Sequence, residues 1–222
     1  DKLRVAAFYQ PHHSIGGDYY DYVRISEEQF LFCIADVSGK GIPAAMLMSN
    51  FQASLRTMIR QSTLLQEIIA ELNYQIMNNA SGQHFITFFV GIYDRSQSRL
   101  KYVNAGHNPP LLIDGSGAMI QLDKGSTILG GFHELPFLDV GVIEELDQFF
   151  FFSYTDGLIE ITDDKNEEFG VERVKSLVEK YYNKRDMREL NKLIIDEMNN
   201  FKGDRPFKDD ITLLSVVVNN KP

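Results

Sequence analysis

The sequence predicts an α+β sandwich, in which antiparallel sheets are covered by pairs of helices. Strand-like segments rich in aromatic and β-branched residues open the chain, return in its middle and close it, and helical patterns lie in pairs between them. This grouping differs from the regular strand–helix alternation that produces a parallel α/β sheet. No repeat or low-complexity linker divides the 222 residues, so we expect a single domain over residues 1–222.

The first third of the chain is expected to form three strands and then two helices. Pro43 suits the first position of the first helix, since its missing N–H has no helical partner there. Thr63 with Gln66 resembles a capping box at the start of the second helix. Apolar residues recur at helical spacing after each of these points. The strands are expected over residues 5–10, 19–25 and 30–37, and the helices over residues 43–59 and 64–78.

The rest of the chain is expected to return to strands, then to helices, and to end on a strand. Short turns rich in Asp, Ser and Gly separate the strand-like segments. The last segment is apolar and β-branched, which is typical of a buried strand. The strands are expected over residues 85–93, 100–104, 111–113, 149–155 and 211–218, and the helices over residues 172–182 and 187–201.

The composition excludes several function classes. The formal net charge is −9, and no Lys/Arg cluster offers the positive surface that a nucleic-acid backbone needs, so we expect no nucleic-acid partner. No apolar stretch approaches the roughly 20 residues of a membrane span, so we expect no membrane insertion of this domain. No basic-then-apolar signal segment opens the chain, and a cytoplasmic location is the expectation.

The chain contains one cysteine, Cys33, which excludes an intrachain disulfide. It lies in an apolar run and is expected to be a small buried core residue. No arginine follows it within twenty positions, so the sequence does not support a cysteine-based phosphatase, which would need one to hold the phosphate. Because the chain begins at Asp1 rather than Met, we interpret it as a domain excised from a longer protein.

Four short acidic signatures stand out, each with an aspartate between a strand-like run and a glycine-rich or polar turn. Carboxylates at strand ends beside glycine suit a hard divalent cation, because the oxygens are anionic and the backbone is fixed. Since the signatures are far apart in sequence, we expect folding to assemble one metal centre from them. They are Gly-Gly-Asp at residues 16–18, Asp-Val-Ser-Gly-Lys-Gly at 36–41, Thr-Asp-Gly at 155–157 and Asp-Asp-Ile-Thr at 209–212.

The aspartates of these signatures are the candidate metal ligands. Asp36 ends a predicted central strand, Asp156 follows another, and Asp209 precedes the last one. The carbonyl of Val37 is a further candidate oxygen, and Asp18 belongs to the first signature. An all-oxygen site favours Mg²⁺ or Mn²⁺ over zinc. Two ions that share a carboxylate can activate a water and stabilise charge on a phosphoryl group.

Other interpretations of the same motifs are weaker. Each signature alone also suits an ordinary turn, because Asp before Gly is common there. Residues 38–41 lack the features of a P-loop, since position 35 is Ala and position 41 is Gly. The Gly-Gly-Asp turn resembles that of diguanylate cyclases, but two tyrosines follow it here. His107 suits either a general acid or a structural histidine, and the absence of an adjacent carboxylate pair favours the structural role.

Five stretches of the chain closely resemble the bacterial stage-II-sporulation-E/RsbU-like branch of the PPM (PP2C-type) serine/threonine phosphatases. They lie in the order of that family and span nearly the whole chain. The resemblance implies a four-layer α/β/β/α sandwich with two central antiparallel sheets and a pair of Mn²⁺ or Mg²⁺ ions at one end of them. The matching stretches are residues 15–21, 34–45, 102–111, 154–157 and 209–212.

The resemblance also implies a role for each candidate ligand. By position, Asp36 matches the carboxylate that bridges both ions, and Val37 matches the residue that donates its carbonyl. Asp156 and Asp209 match ligands of the first ion, and Asp18 matches the acid near the second. Asp36 and Asp156 are the residues on which catalysis is expected to depend.

Three positions bear on how these roles are assigned from the family to this chain. Asp209 is preferred over Asp210 because the family preserves the first acid of that pair. Ser38 stands where eukaryotic relatives carry a histidine that is thought to protonate the leaving group. Those relatives also carry an upstream phosphate-binding arginine, where this chain offers only His12 and His13.

The resemblance implies hydrolysis of a phosphoserine or phosphothreonine by a metal-bridging hydroxide, with no phosphoenzyme. The expected substrate is a phosphorylated STAS-domain protein of the anti-anti-sigma type. An upstream sensor domain is expected to act through the helix pair at residues 43–59 and 64–78. Because the leaving-group acid is missing, a partner-binding switch module with weak or no catalysis is the alternative, and a nucleotide cyclase is a third. The oligomeric state stays open, a homodimer included.

Overall fold

Two β-sheets form the centre of the molecule, and helices cover their outer faces. The computed structural model describes residues 3–80, 84–183 and 186–220. The elements are β1 (Leu3–Gln10), β2 (Tyr19–Arg24), β3 (Gln29–Val37), α1 (Ile42–Met58), α2 (Leu65–Ala80), β4 (Ile86–Asp94), β5 (Arg99–Ala105), β6 (Leu111–Asp114), β7 (Met119–Gln121), β8 (Gly125–Ser126), β9 (Gly141–Ile143), β10 (Gln148–Tyr154), α3 (Asp156–Ile159), α4 (Val171–Tyr181), α5 (Met187–Lys202) and β11 (Ile211–Asn219).

The two sheets are almost wholly antiparallel. One sheet has the strand order β1-β11-β10-β6-β7, so the first and last long strands of the chain are neighbours. The other has the order β2-β3-β4-β5-β8, and β9 also pairs with β5. The short β5–β8 pair is parallel. None of the described helices is long and apolar enough to cross a membrane.

Three apolar clusters separate four layers. The first lies between the sheets, where the rings of Phe32 and Phe151 meet edge to face with centroids 4.6 Å apart. The second packs α1 and α2 on the β2–β3–β4 side. The third packs α4 and α5 on the sheet that contains β10 and β11. The α/β/β/α sandwich expected from the sequence is therefore confirmed.

Side chains of β3 alternate between two of these clusters, as the pleat of a strand requires. Leu31, Cys33, Ala35 and Val37 face the helices, whereas Phe30, Phe32 and Ile34 face the other sheet. Asp36 continues the second series, so its carboxylate lies between the sheets at the end of the strand. Cys33 is fully buried, as predicted.

The predicted long strands and helices are observed with small shifts at their ends. The sequence analysis missed β7, β8, β9 and α3, which have only two to four residues each. Such short segments carry no period that distinguishes them from turns. The capping box at Thr63 stays a prediction; in the structure the Ser62 hydroxyl accepts a hydrogen bond from the amide of Leu64, at 3.1 Å.

Candidate metal centre

The acidic signatures from the two ends of the chain meet at one edge of the sandwich. The carboxylate of Asp210, just before β11, accepts hydrogen bonds from the backbone amides of His12 and Gly17, both at 2.7 Å. These bonds fix the loop between β1 and β2, which carries the Gly-Gly-Asp signature. Asp210 therefore has a structural role that the sequence analysis did not assign.

Asp18 is held by threonines from two other signatures. The hydroxyls of Thr155 and Thr212 donate to the same carboxylate oxygen of Asp18, at 2.8 and 2.6 Å. The amide of Thr212 also donates to the Thr155 hydroxyl, at 2.9 Å. Burial, followed by the charge of Asp36, raises the pKa of Asp18 well above its ordinary value, and the two hydroxyl bonds oppose this shift.

Asp36 lies within electrostatic range of every other acid of the site. Burial raises its pKa to about 7, and the charges of Asp156, Asp209 and Asp210 act in the same direction. A hydrogen bond with Asp18 opposes the rise. A buried group of like charges is unfavourable unless protons or cations neutralise it.

Asp156 is the first residue of α3, and Thr155 alone separates it from the end of β10. Burial raises its pKa to about 6, together with the charges of Glu160 and Asp209. The N–H of Gly157 and the ammonium of Lys40 oppose this rise. Lys40 in turn forms an ion pair with the Asp209 carboxylate, with Nζ and Oδ2 2.7 Å apart.

The donor chemistry of this cluster fits Mg²⁺ or Mn²⁺. All of its acids are aspartates, and hard divalent cations prefer such oxygen ligands. Across the described ranges 3–80, 84–183 and 186–220, no three or more Asp, Glu, His or Cys side chains form a ready-made metal-binding group. Three of the aspartates are engaged instead with hydroxyls, backbone amides and an ammonium.

The structure thus places three of the aspartates that the sequence singled out, Asp18, Asp156 and Asp209, within electrostatic range of the fourth, Asp36. The carbonyl oxygen of Val37 lies beside Gly17, 3.1 Å from the position that a Cβ would take there. The individual ligand roles of these five residues remain predictions.

Sequence reasoning missed the supporting roles of Thr155, Thr212, Lys40 and Asp210. Each of these residues lies inside one of the four signatures, so the signal was present in the motifs. What the sequence lacks is the information that a hydroxyl of one signature contacts the carboxylate of another.

His107 is buried next to the site and not exposed in it. One ring nitrogen lies 2.9 Å from the hydroxyl of Thr87, which is paired with Asp36 across β3 and β4. Burial lowers its pKa to about 4, so the imidazole is neutral at pH 7. These observations favour the structural role over the general acid. The rings of His12 and His13 contact each other, with centroids 4.2 Å apart.

Comparison with known families decides the classification. The family model for stage II sporulation protein E (SpoIIE) matches residues 26–219. The chain belongs to the SpoIIE family. Among curated relatives, phosphoserine phosphatase RsbP of Bacillus subtilis is 28% identical over 166 residues, which is 73% of this chain and 41% of RsbP. Phosphoserine phosphatase RsbU of the same organism is 32% identical over 109 residues, 49% of this chain and 32% of RsbU.

Solved structures show the same fold for this SpoIIE-family chain. The RsbU and RsbW domains of a Mycobacterium tuberculosis protein match with a TM-score of 0.82 and 23% identity, over 99% of this chain and 61% of that one. The PP2C phosphatase domain of SpoIIE from Bacillus subtilis, solved with a fragment of its regulatory domain, gives 0.78 and 16%, over 98% and 64%. RsbX in complex with magnesium gives 0.73 and 17%, over 97% and 95%. The fold is PP2C-like.

Proposed function

We propose that this chain is a metal-dependent protein phosphatase that hydrolyses phosphoserine or phosphothreonine on a regulatory partner. One observation carries the proposal. Aspartates from four distant signatures converge at one end of the two sheets, and burial and mutual repulsion raise the pKa values of Asp18, Asp36 and Asp156. The repulsion among these buried carboxylates, once they are ionised together, requires cations to offset it.

Two Mn²⁺ or Mg²⁺ ions suit this requirement. Asp36, Asp156 and Asp209 would hold one ion, with Asp36 shared between both and Asp18 beside the second, and the Val37 carbonyl would be a further ligand. When bound, the ions supply an activated water and neutralise charge on the phosphoryl group. The magnesium complex of RsbX supports a divalent ion in this fold.

The protein's own groups orient the acids. Thr155 and Thr212 fix one oxygen of Asp18, and the position of Asp36 at the end of β3 limits the directions its carboxylate can take. The Ser38 hydroxyl accepts a hydrogen bond from the amide of Phe85, at 2.8 Å, and the Ser38 carbonyl lies 2.8 Å from a ring nitrogen of His84. Ser38 is therefore tied to the start of β4.

The relatives support a proposal for the substrate and for the regulation. RsbP and RsbU are phosphoserine phosphatases, and the Mycobacterium structure contains an RsbU and an RsbW domain. We propose a phosphorylated STAS-domain protein as the substrate and an upstream sensor domain as the regulator. The groove between α1 and α2, about 650 Å³ and open to solvent, supports contact of a regulator with this helix pair.

A second candidate is a switch module that binds its partner with weak or no catalysis. The observation that favours it is the ion pair between Lys40 and Asp209, which engages a candidate ligand with a protein cation. This candidate predicts partner binding without turnover, even at saturating Mn²⁺.

The two candidates are separated by phosphate release from a phosphoserine-containing STAS-domain protein. We expect release that requires Mn²⁺ and stops when a chelator is added. A phosphotyrosine peptide serves as the control and should not be hydrolysed. Stable binding of the STAS protein with no phosphate release at any Mn²⁺ concentration would favour the switch module. If the STAS protein is neither bound nor dephosphorylated, this substrate class is rejected.

A further inference from the structure

Lys40 lies at the rim of the acidic site, in the turn between β3 and α1. The glycines on both sides of it, Gly39 and Gly41, have φ values of +93° and +73°, which L side chains rarely adopt. Its side chain is 44% exposed. The ammonium contacts the carboxylate of Asp209 and the backbone carbonyl of Lys208, so it points across the site and not into solvent alone.

The charge of Lys40 reaches further into the site than this ion pair. The ammonium also lies close enough to Asp156 to interact electrostatically with that carboxylate. Lys208 is different, because its ammonium turns away to the Thr162 hydroxyl, 3.1 Å distant. Two lysines of the same rim therefore have different surroundings.

A cation at this position would favour the binding of a phosphate monoester. The site gathers five aspartates, Asp18, Asp36, Asp156, Asp209 and Asp210, and two divalent ions do not neutralise all of them. A phosphoryl dianion that enters would meet a residual negative field. An ammonium at the rim offsets that field and donates charge-assisted hydrogen bonds to phosphate oxygens.

We infer that Lys40 is a phosphate-binding residue of this site. The inference rests on the proposed phosphatase function and adds a residue to it. When Asp209 binds an ion, its charge is shared with that ion and its hold on Lys40 weakens. The flexible four-carbon stem and the exposure of the side chain then allow the ammonium to move from Asp209 to a phosphate oxygen.

The test measures binding of inorganic phosphate to the magnesium-loaded protein by calorimetry, alongside KM and kcat for p-nitrophenyl phosphate. The variants are Lys40→Met and Lys40→Arg, and Lys208→Met is the matched control. We expect Lys40→Met to weaken phosphate binding about tenfold and to raise KM similarly, with a smaller change in kcat. Lys40→Arg should restore most of the affinity, and Lys208→Met should leave it unchanged.

A separate titration with Mg²⁺ alone distinguishes phosphate binding from a role in positioning Asp209. Lys40→Met should bind Mg²⁺ as tightly as the wild type or more tightly, because a competing cation is removed. Unchanged phosphate affinity in Lys40→Met would overturn the inference. A loss of Mg²⁺ affinity in Lys40→Met large enough to account for all of its loss of phosphate affinity would also overturn it. A wild-type protein that binds phosphate but never turns over would reject the phosphatase proposal and leave the role of Lys40 intact.

Discussion

The guanidinium of Arg56 on α1 donates two hydrogen bonds to the carboxylate of Asp21 on β2, at 2.7 and 2.8 Å. The Tyr19 hydroxyl donates a third to Asp21, at 2.6 Å. β2 begins at the residue after Asp18, so these bonds connect helix α1 to the strand that positions one of the site's acids. Asp21 is only 8% exposed, so its carboxylate has these partners in place of most of its contact with water.

Replacing Arg56 should therefore cost more than replacing an arginine whose partner carboxylate is exposed, since the Asp21 side chain is only 10% exposed. We expect Arg56→Met to lower the free energy of unfolding by about 1–3 kcal/mol, because a nearly buried carboxylate loses its cation. Arg24→Met is the control, since its ion pair with Glu27 is exposed and should contribute less than about 1 kcal/mol. Urea unfolding measures both, and equal losses in the two variants would contradict this account.

The close contact between α3 and the Asp209–Asp210 segment makes Gly157 a sensitive position. A Cβ on Gly157 would overlap the backbone carbonyl of Asp210, which cannot rotate away as a side chain could. We expect Gly157→Ala to cost about 2–3 kcal/mol in unfolding free energy and to weaken Mg²⁺ binding. At Gly115 the nearest atom would be 3.4 Å from the new Cβ, so Gly115→Ala should change stability by less than about 0.5 kcal/mol. Comparable melting temperatures for the two variants would show that the segment shifts freely.

Much of the fold, and the meeting of the acidic signatures at one candidate site, were predictable from residues with a clear period or a clear chemistry. The apolar stripes predicted α1 and α2, and the acid at the end of β3 was identified as a site residue because its neighbours formed a strand. The short strands β7 to β9 were not predictable, since two or three residues carry no period. Nor was the ion pair of Lys40 with Asp209, because it depends on how distant loops meet.

The carboxylate cluster should make the metal-free protein less stable as the pH rises. The folded state holds the pKa of Asp36 at about 7 and that of Asp156 at about 6, above the ordinary value of 3.8. The folded state thus binds more protons than the unfolded one between about pH 4 and pH 7, and stability falls across that window. His107 acts with the opposite sign, because its pKa of about 4 costs stability as the pH falls below 6.5.

Comparison with Asp36→Asn isolates the carboxylate effect, since both proteins contain His107. In chelator, we expect Asp36→Asn to be more stable than the wild type at pH 7.5, by roughly 1–3 kcal/mol, and the difference to shrink towards pH 5. Urea unfolding at several pH values measures this. A difference in unfolding free energy that stays constant with pH would mean that folding does not raise the pKa of Asp36.

We propose that the clustered aspartates form a metal-dependent hydrolytic centre. The most direct test of this proposal is hydrolysis of p-nitrophenyl phosphate across a Mn²⁺ titration by the wild type, Asp36→Asn and Asp204→Asn. Asp204 is an exposed aspartate of the loop before β11 and serves as the matched control. We expect Mn²⁺-dependent turnover in the wild type and Asp204→Asn, and a loss of at least about a hundredfold in Asp36→Asn, since the carboxylate that we propose as the bridge between the ions is removed. Full turnover by a folded Asp36→Asn protein would contradict the account.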